Sequence, residues 1–160
     1  MRRRVICPKK ATMIDVFEPT PLGDAQLDHD HAELFRLCRA LLDVPSDAIR
    51  PAVEQLRAEI RAHFASEDAD LRRLGGNNVD CHLDEHAAVL ASLDEVQLIL
   101  GEPQTTPVAA QRLISSLALE LLRWLPEHVS EMDANLAAVR SQSRFGGVGV
   151  RIMPRLAQAH

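Results

Sequence analysis

Five of the seven histidines, His31, His63, His82, His86 and His128, fall on the same repeats as the apolar residues around them. His63 and Glu67 are four positions apart, as are His82 and His86, so on a helix each pair shares a face and can aim two donor atoms at one point. One imidazole inside a core is an ordinary residue satisfied by a neighbour. Five pose a different problem. An apolar core offers few hydrogen-bond partners, and each buried polar atom left unpaired costs about 1–3 kcal/mol. A shared metal removes that cost. Imidazoles with carboxylate oxygens and no thiolate suit a first-row metal such as iron, whereas a structural zinc site usually includes cysteine. A donor set of this size exceeds one tetrahedral ion and fits two ions bridged by carboxylates.

The elements that must position these donors are legible from hydrophobic spacing. Residues 24–42 place Leu27, His31, Leu34, Phe35, Cys38, Leu41 and Leu42 at three- and four-residue steps, an amphipathic helical stripe. After Asp43-Val44-Pro45-Ser46, a second stripe from about Asp47 carries Val53, Leu56, Ile60, His63, Glu67 and Leu71, and stops at Gly75-Gly76. A third, residues 80–100, aligns His82, His86, Val89, Leu93 and Val96 and ends at Gly101. The fourth starts where Thr106 can cap and Pro107 can take the first helical position, and aligns Leu117, Leu121, Trp124, Leu125, His128, Met132, Leu136 and Val139. Short connections between long helices make neighbours antiparallel, so the expected fold is all-α, an up-down-up-down four-helix bundle with the metal centre in its core. Residues 1–23 read as an N-terminal extension, 24–140 as the bundle and 141–160 as a tail, perturbed by Gly146-Gly147, Gly149 and Pro154 and docked by Val148, Val150 and Ile152. Met13 is an alternative initiator.

Composition narrows the remaining classes. A chain of 160 residues supports one domain with a single core. Hydrophobic residues make up 46% but aromatics only 3%, a balance carried by Leu, Ala and Val that favours helices over sheets. The net charge of -5 argues against a nucleic-acid binder, whose phosphate contacts need a basic face. Three cysteines without a CxxC pair point away from a disulfide framework and toward a reducing cytoplasm. No run approaches membrane-spanning length, so a soluble protein without membrane contact is expected; a monomer is the expected assembly.

Specific motifs extend this reading. Leu27-Asp28-His29-Asp30-His31-Ala32-Glu33-Leu34-Phe35, His63-Phe64-x-x-Glu67, His82-x-x-x-His86 and Trp124-Leu125-x-x-His128-x-x-x-x-Asp133 resemble the ligand pattern of the hemerythrins, especially the bacterial ones, over residues 24–140. The resemblance implies that His82, His86 and His128 bind one iron and His31 and His63 the other. Glu67 and Asp133 would bridge the two, with a solvent-derived oxo or hydroxo group. It also implies an open position on the second iron, where dioxygen accepts two electrons and from which it leaves by the reverse transfer. Leu34, Phe64, Trp124 and Val129 match positions lining the dioxygen pocket, so Leu34→Asn and Trp124→Gln are expected to speed autoxidation with iron retained. Gly75-Gly76-Asn77-Asn78 replaces a loop that often reads Gly-Tyr-Pro, and Leu90 stands where an aromatic is common, which implies altered packing and no loss of metal.

Three residues near the motifs stay outside the expected site. His29 lies off the inward stripe, His160 belongs to the tail, and Cys81 points about 100° from His82, as a small buried or half-buried residue. Asp133 poses a geometric difficulty: five residues beyond His128 it lies about 140° round an ideal helix. A π-type bulge, or distortion at Pro126, would bring the two side chains together.

Two iron ions per chain and dioxygen as ligand are the expected cofactors, in a carrier, store or sensor module; a sensor would need a separate protein partner. The competing class is an enzyme in which the same centre acts on peroxide or nitric oxide. Oxygen-activating di-iron bundles carry more carboxylates, whereas here histidines outnumber them five to two, which favours reversible binding. A metal-free interaction domain would leave the five inward histidines unexplained.

Overall fold

A computed structural model describes residues 18–146. The basic residues Arg2, Arg3, Arg4, Lys9 and Lys10, together with Cys7, Met13, the apolar tail residues Val148, Val150 and Ile152, and His160, lie outside the described residues. The described chain is all-helical, and each helix boundary has a local cause. Asp24 opens α1 (Ala25–Ala40) because its carboxylate accepts from the Gln26 and Leu27 N–H groups at 3.2 and 3.3 Å, two donors the first turn leaves free. Single 3-10 turns at Leu41–Asp43 and Ser46–Ala48 flank Pro45, so α2 (Ile49–Leu74) begins two residues later than the pattern alone predicts. It stops where Gly75 adopts φ +70°, a conformation costly for any residue with a Cβ.

α3 (Val79–Gly101) is entered through left-handed Asn78. Thr106 caps α4 (Pro107–His128) by accepting from the Ala109 N–H at 3.2 Å. One π-helical turn, Val129–Asp133, then leads directly into α5 (Ala134–Arg144). The last helix thus continues past residue 140, where the apolar pattern ends. The reason is polar: buried Arg140 donates from Nε to Asp70 Oδ2 at 2.8 Å, and Arg144 lies 3.3 Å from Asp24, tying α5 to α1 and α2.

α1 packs against α2 and α4 and α2 against α3, the antiparallel neighbours of an up-down-up-down bundle, while α5, the continuation of α4, also meets α2. This arrangement divides the core lengthwise. The C-terminal half of α1, the N-terminal half of α2, the C-terminal half of α3 and the N-terminal half of α4 meet at one end. There Leu37, Leu56, Val53, Leu93, Ile114 and Leu122 form a continuous apolar cluster. Cys38 belongs to it, and burial pushes its thiol up to about 12. The opposite halves, which carry every inward histidine, meet at the other end. No helix among the described residues is long and apolar enough to cross a membrane.

Candidate metal centre

The histidine end is built from one turn of each helix: His31 from α1, His63 and Glu67 from α2, His82 and His86 from α3, and His128 with Asp133 across the π turn. All seven side chains are buried. Their donor atoms form two groups with ligand-like separations, His82, His86 and His128 with both carboxylates, and His31 and His63 with the same two carboxylates. Each carboxylate faces both groups. Asp133 puts Oδ1 2.9 Å from His82 Nε2 and 3.2 Å from His128 Nε2, while its Oδ2 lies 2.9 Å from His31 Nε2. Glu67 puts Oε2 3.2 Å from His86 Nε2, and Oε1 3.5 Å from His63 Nε2. The π turn makes this possible, because the Ala134 N–H reaches back five residues to the Val129 carbonyl and the widened turn carries Asp133 round onto the His128 face. Pro126 leaves the preceding helix regular.

A cation fits this donor set on three grounds. The buried side-chain atoms without a hydrogen-bond partner among the described residues all belong to the cluster: both nitrogens of His31, His82 Nε2, and both oxygens of Glu67 and of Asp133. Elsewhere the core is satisfied, so this concentration needs a single cause. Second, His86 and His128 direct Nδ1 at carboxylates and turn Nε2 inward. Those two Nε2 atoms are only 3.1 Å apart, so both can face a single cation. Third, the field of the site is negative. Burial would hold His128 neutral, yet Asp133 and Glu85 outweigh it and raise its pKa to about 9. Burial alone would likewise raise the Asp133 carboxyl, but contacts with His128, His31 and His82 hold it well below the usual carboxylate range. His63 is the exception, lowered by burial and only partly compensated by Glu67.

Three further carboxylates touch the cluster, and sequence spacing did not single them out. His86 Nδ1 donates to Asp68 Oδ1 at 2.8 Å, His128 Nδ1 donates to Glu85 Oε2 at 2.7 Å, and His63 Nδ1 lies 3.4 Å from Asp30 Oδ2. Each works from a neighbouring helix, fixing which imidazole nitrogen is free to bind. The one available signal was adjacency, since Asp68 follows Glu67 and Glu85 precedes His86.

The four pocket candidates divide between the two groups. Leu34 lines a cleft of about 280 Å³ between α1 and α2, which His63 also lines. Phe64 lies 5.8 Å from His63 but stacks at 3.7 Å on His86, and half-buried Trp124 stacks at 4.2 Å on His128, so both aromatics cover the three-histidine side. Val129 is fully buried within the π turn. His29 is exposed, as its place off the stripe requires. Cys81, expected to be at least half-buried, is exposed instead: the turn of about 100° from His82 carries it onto the outer face of α3.

Comparison with known proteins agrees with this geometry. The family model for the hemerythrin HHE cation binding domain matches residues 22–139. The chain is 31% identical to a bacteriohemerythrin of Ralstonia nicotianae over 116 residues, covering 72% of this chain and 80% of that relative. It is 25% identical over 92 residues to a bacteriohemerythrin of Campylobacter jejuni subsp. jejuni, covering 54% of this chain and 68% of the relative. No solved structure gives a significant match. With its four helices and its buried histidine and carboxylate cluster inside the matched span, the chain belongs to the hemerythrin HHE cation-binding domain family.

Proposed function

We propose that the protein binds dioxygen reversibly at a pair of iron ions held by His31, His63, Glu67, His82, His86, His128 and Asp133. The observation that carries this reading is the double-facing geometry of Glu67 and Asp133, each with one oxygen toward either histidine group. Held by these residues, two ferrous ions would provide the two-electron redox chemistry that reversible dioxygen binding needs.

The protein side chains do the rest. The five imidazoles are neutral donors, so with only two anionic ligands the site has little means of stabilising the high oxidation states that oxidases need, and binding is favoured over turnover. Buried Leu34, Phe64 and Val129 keep water from the site, and with it the protons that would release the ligand in reduced form. Anaerobic reduction of the iron-loaded protein followed by air tests the reading. A visible ligand-to-metal absorption should appear with two irons per chain and vanish again when oxygen is removed, over repeated cycles. One metal per chain, a preference for zinc, or loss of the signal with turnover would each refute it.

The water-exclusion argument makes a separate prediction at Leu34. Leu34→Asn places a hydrogen-bonding group on the wall of the α1–α2 cleft that His63 also lines. Iron content should stay at the parent level while the oxygenated form autoxidises severalfold faster. An unchanged decay rate with iron intact would remove Leu34 from the account.

A further inference from the structure

The two histidine groups differ in how firmly their imidazoles are held. His86 and His128 are each fixed twice, by a carboxylate on Nδ1 at 2.8 or 2.7 Å and by an aromatic ring stacked on the face, Phe64 on His86 and Trp124 on His128. The other group has neither constraint at full strength. His63 has Asp30 only at 3.4 Å, and the second Asp30 oxygen is already engaged by Gln26 at 2.8 Å. His31 has no partner at Nδ1, and its ring meets His63 edge-on at 5.2 Å. The α1–α2 cleft also opens onto His63.

We propose that the centre holds its two ions unequally, with Asp68 and Glu85 as positioning residues that make the His82–His86–His128 group the first to fill and the last to empty. This rests on the two-ion reading above and adds an order to it. An imidazole held at Nδ1 and on its face loses little freedom when Nε2 binds, and the carboxylate raises its basicity. His31 and His63 must give up more freedom for the same bond. The five-donor group therefore gains from preorganisation as well as from its extra donor, and loss of the carboxylates removes the first advantage alone.

Anaerobic titration of the metal-free, full-length protein with ferrous ion tests the order. Uptake should resolve into two steps of one ion each, and a ferrous chelator should withdraw one ion per chain well before the other. In Asp68→Asn/Glu85→Gln the tight step should weaken about 10- to 100-fold, while the loose step moves less than about threefold. Asp30→Asn should leave the tight step in place. If the double variant does not fold, Glu85→Gln alone should shift the tight step in the same direction. Two ions taken up in one indivisible step would overturn the order while sparing the two-ion reading; a single ion at saturation would overturn that reading itself. Equal weakening of both steps, with a lower melting temperature of the metal-free variant, would reduce Asp68 and Glu85 to structural residues and refute the positioning role.

Discussion

Stripping the metal from the native protein should lower its melting temperature by roughly 10 °C or more. Ions present at a thousandfold excess over their dissociation constant stabilise a fold that alone can bind them by about 4 kcal/mol, and each kcal/mol moves the melting point of a domain this size by about 2–4 °C. The structure adds a reason for the metal-free state to be weak beyond simple linkage. Both nitrogens of His31 and both oxygens of Glu67 and Asp133 are buried without hydrogen bonds, and the apolar cluster at the far end of the bundle cannot compensate for them locally. Hydrogen exchange should therefore show protection lost first in the α1 turn around His31, the C-terminal half of α2, the N-terminal half of α3 and the π turn. The Leu56–Leu93–Ile114 end should stay protected. Calorimetry before and after chelation measures the total effect. A melting temperature indifferent to metal would show that the cluster is satisfied some other way.

The second large effect is expected at the two shared carboxylates. Glu67→Gln and Asp133→Asn keep the side-chain volume but weaken a donor that faces both histidine groups. Structural sites with four ligands reach apparent binding energies of about 10–16 kcal/mol, or about 3 kcal/mol per ligand, which corresponds to roughly a hundredfold in affinity for each ion that loses one. Either substitution should thus deplete both positions together, whereas His31→Ala should deplete one. Metal content after gel filtration, set beside His31→Ala, distinguishes the cases. A Glu67→Gln protein that kept one ion at parental affinity would mean that this carboxylate serves a single group.

The inward histidines were readable because a helical stripe is a strong, local pattern, and a polar residue placed within it is conspicuous. His31 stands at such steps from buried Leu27 and Leu34, His63 from buried Ile60, and His82 and His86 from each other and from half-buried Val79 and Val89, so spacing put them inside. Asp133 was not accessible to that logic on a regular helix, and it pointed to the π turn only because its motif position conflicted with the ideal angle. Asp68 and Glu85 escaped for the opposite reason. Each lies at the flank of its stripe, where a charge ordinarily means solvent, and Asp68 also pairs with Arg72 one turn on, as a surface residue would. Their partners are on other helices, and nothing in a single stripe announces a contact across the bundle. The helix end at Arg144 was hidden similarly, since Ser141-Gln142-Ser143 has no apolar signal and the segment is held by Arg140 and Arg144 on acids of α1 and α2.

The π turn also bears on how this protein tolerates length changes. Removing one residue from the middle of an α-helix turns everything beyond it by about 100°, enough to take a whole buried face out to solvent. Here the fourth helix already contains one residue more than a regular helix between His128 and Asp133 would need. Ser130 and Glu131, both exposed, are the surplus positions. Deleting either would collapse the segment into an uninterrupted α-helix with the aspartate four places after His128, the same interval that separates His63 from Glu67. Leu136, Ala137 and Arg140 would keep their faces, because their distances from the aspartate do not change. A single-residue deletion, which elsewhere in this bundle would turn a buried face to solvent, should therefore be tolerated at this π turn, as a melting temperature and metal content close to the parent's would show.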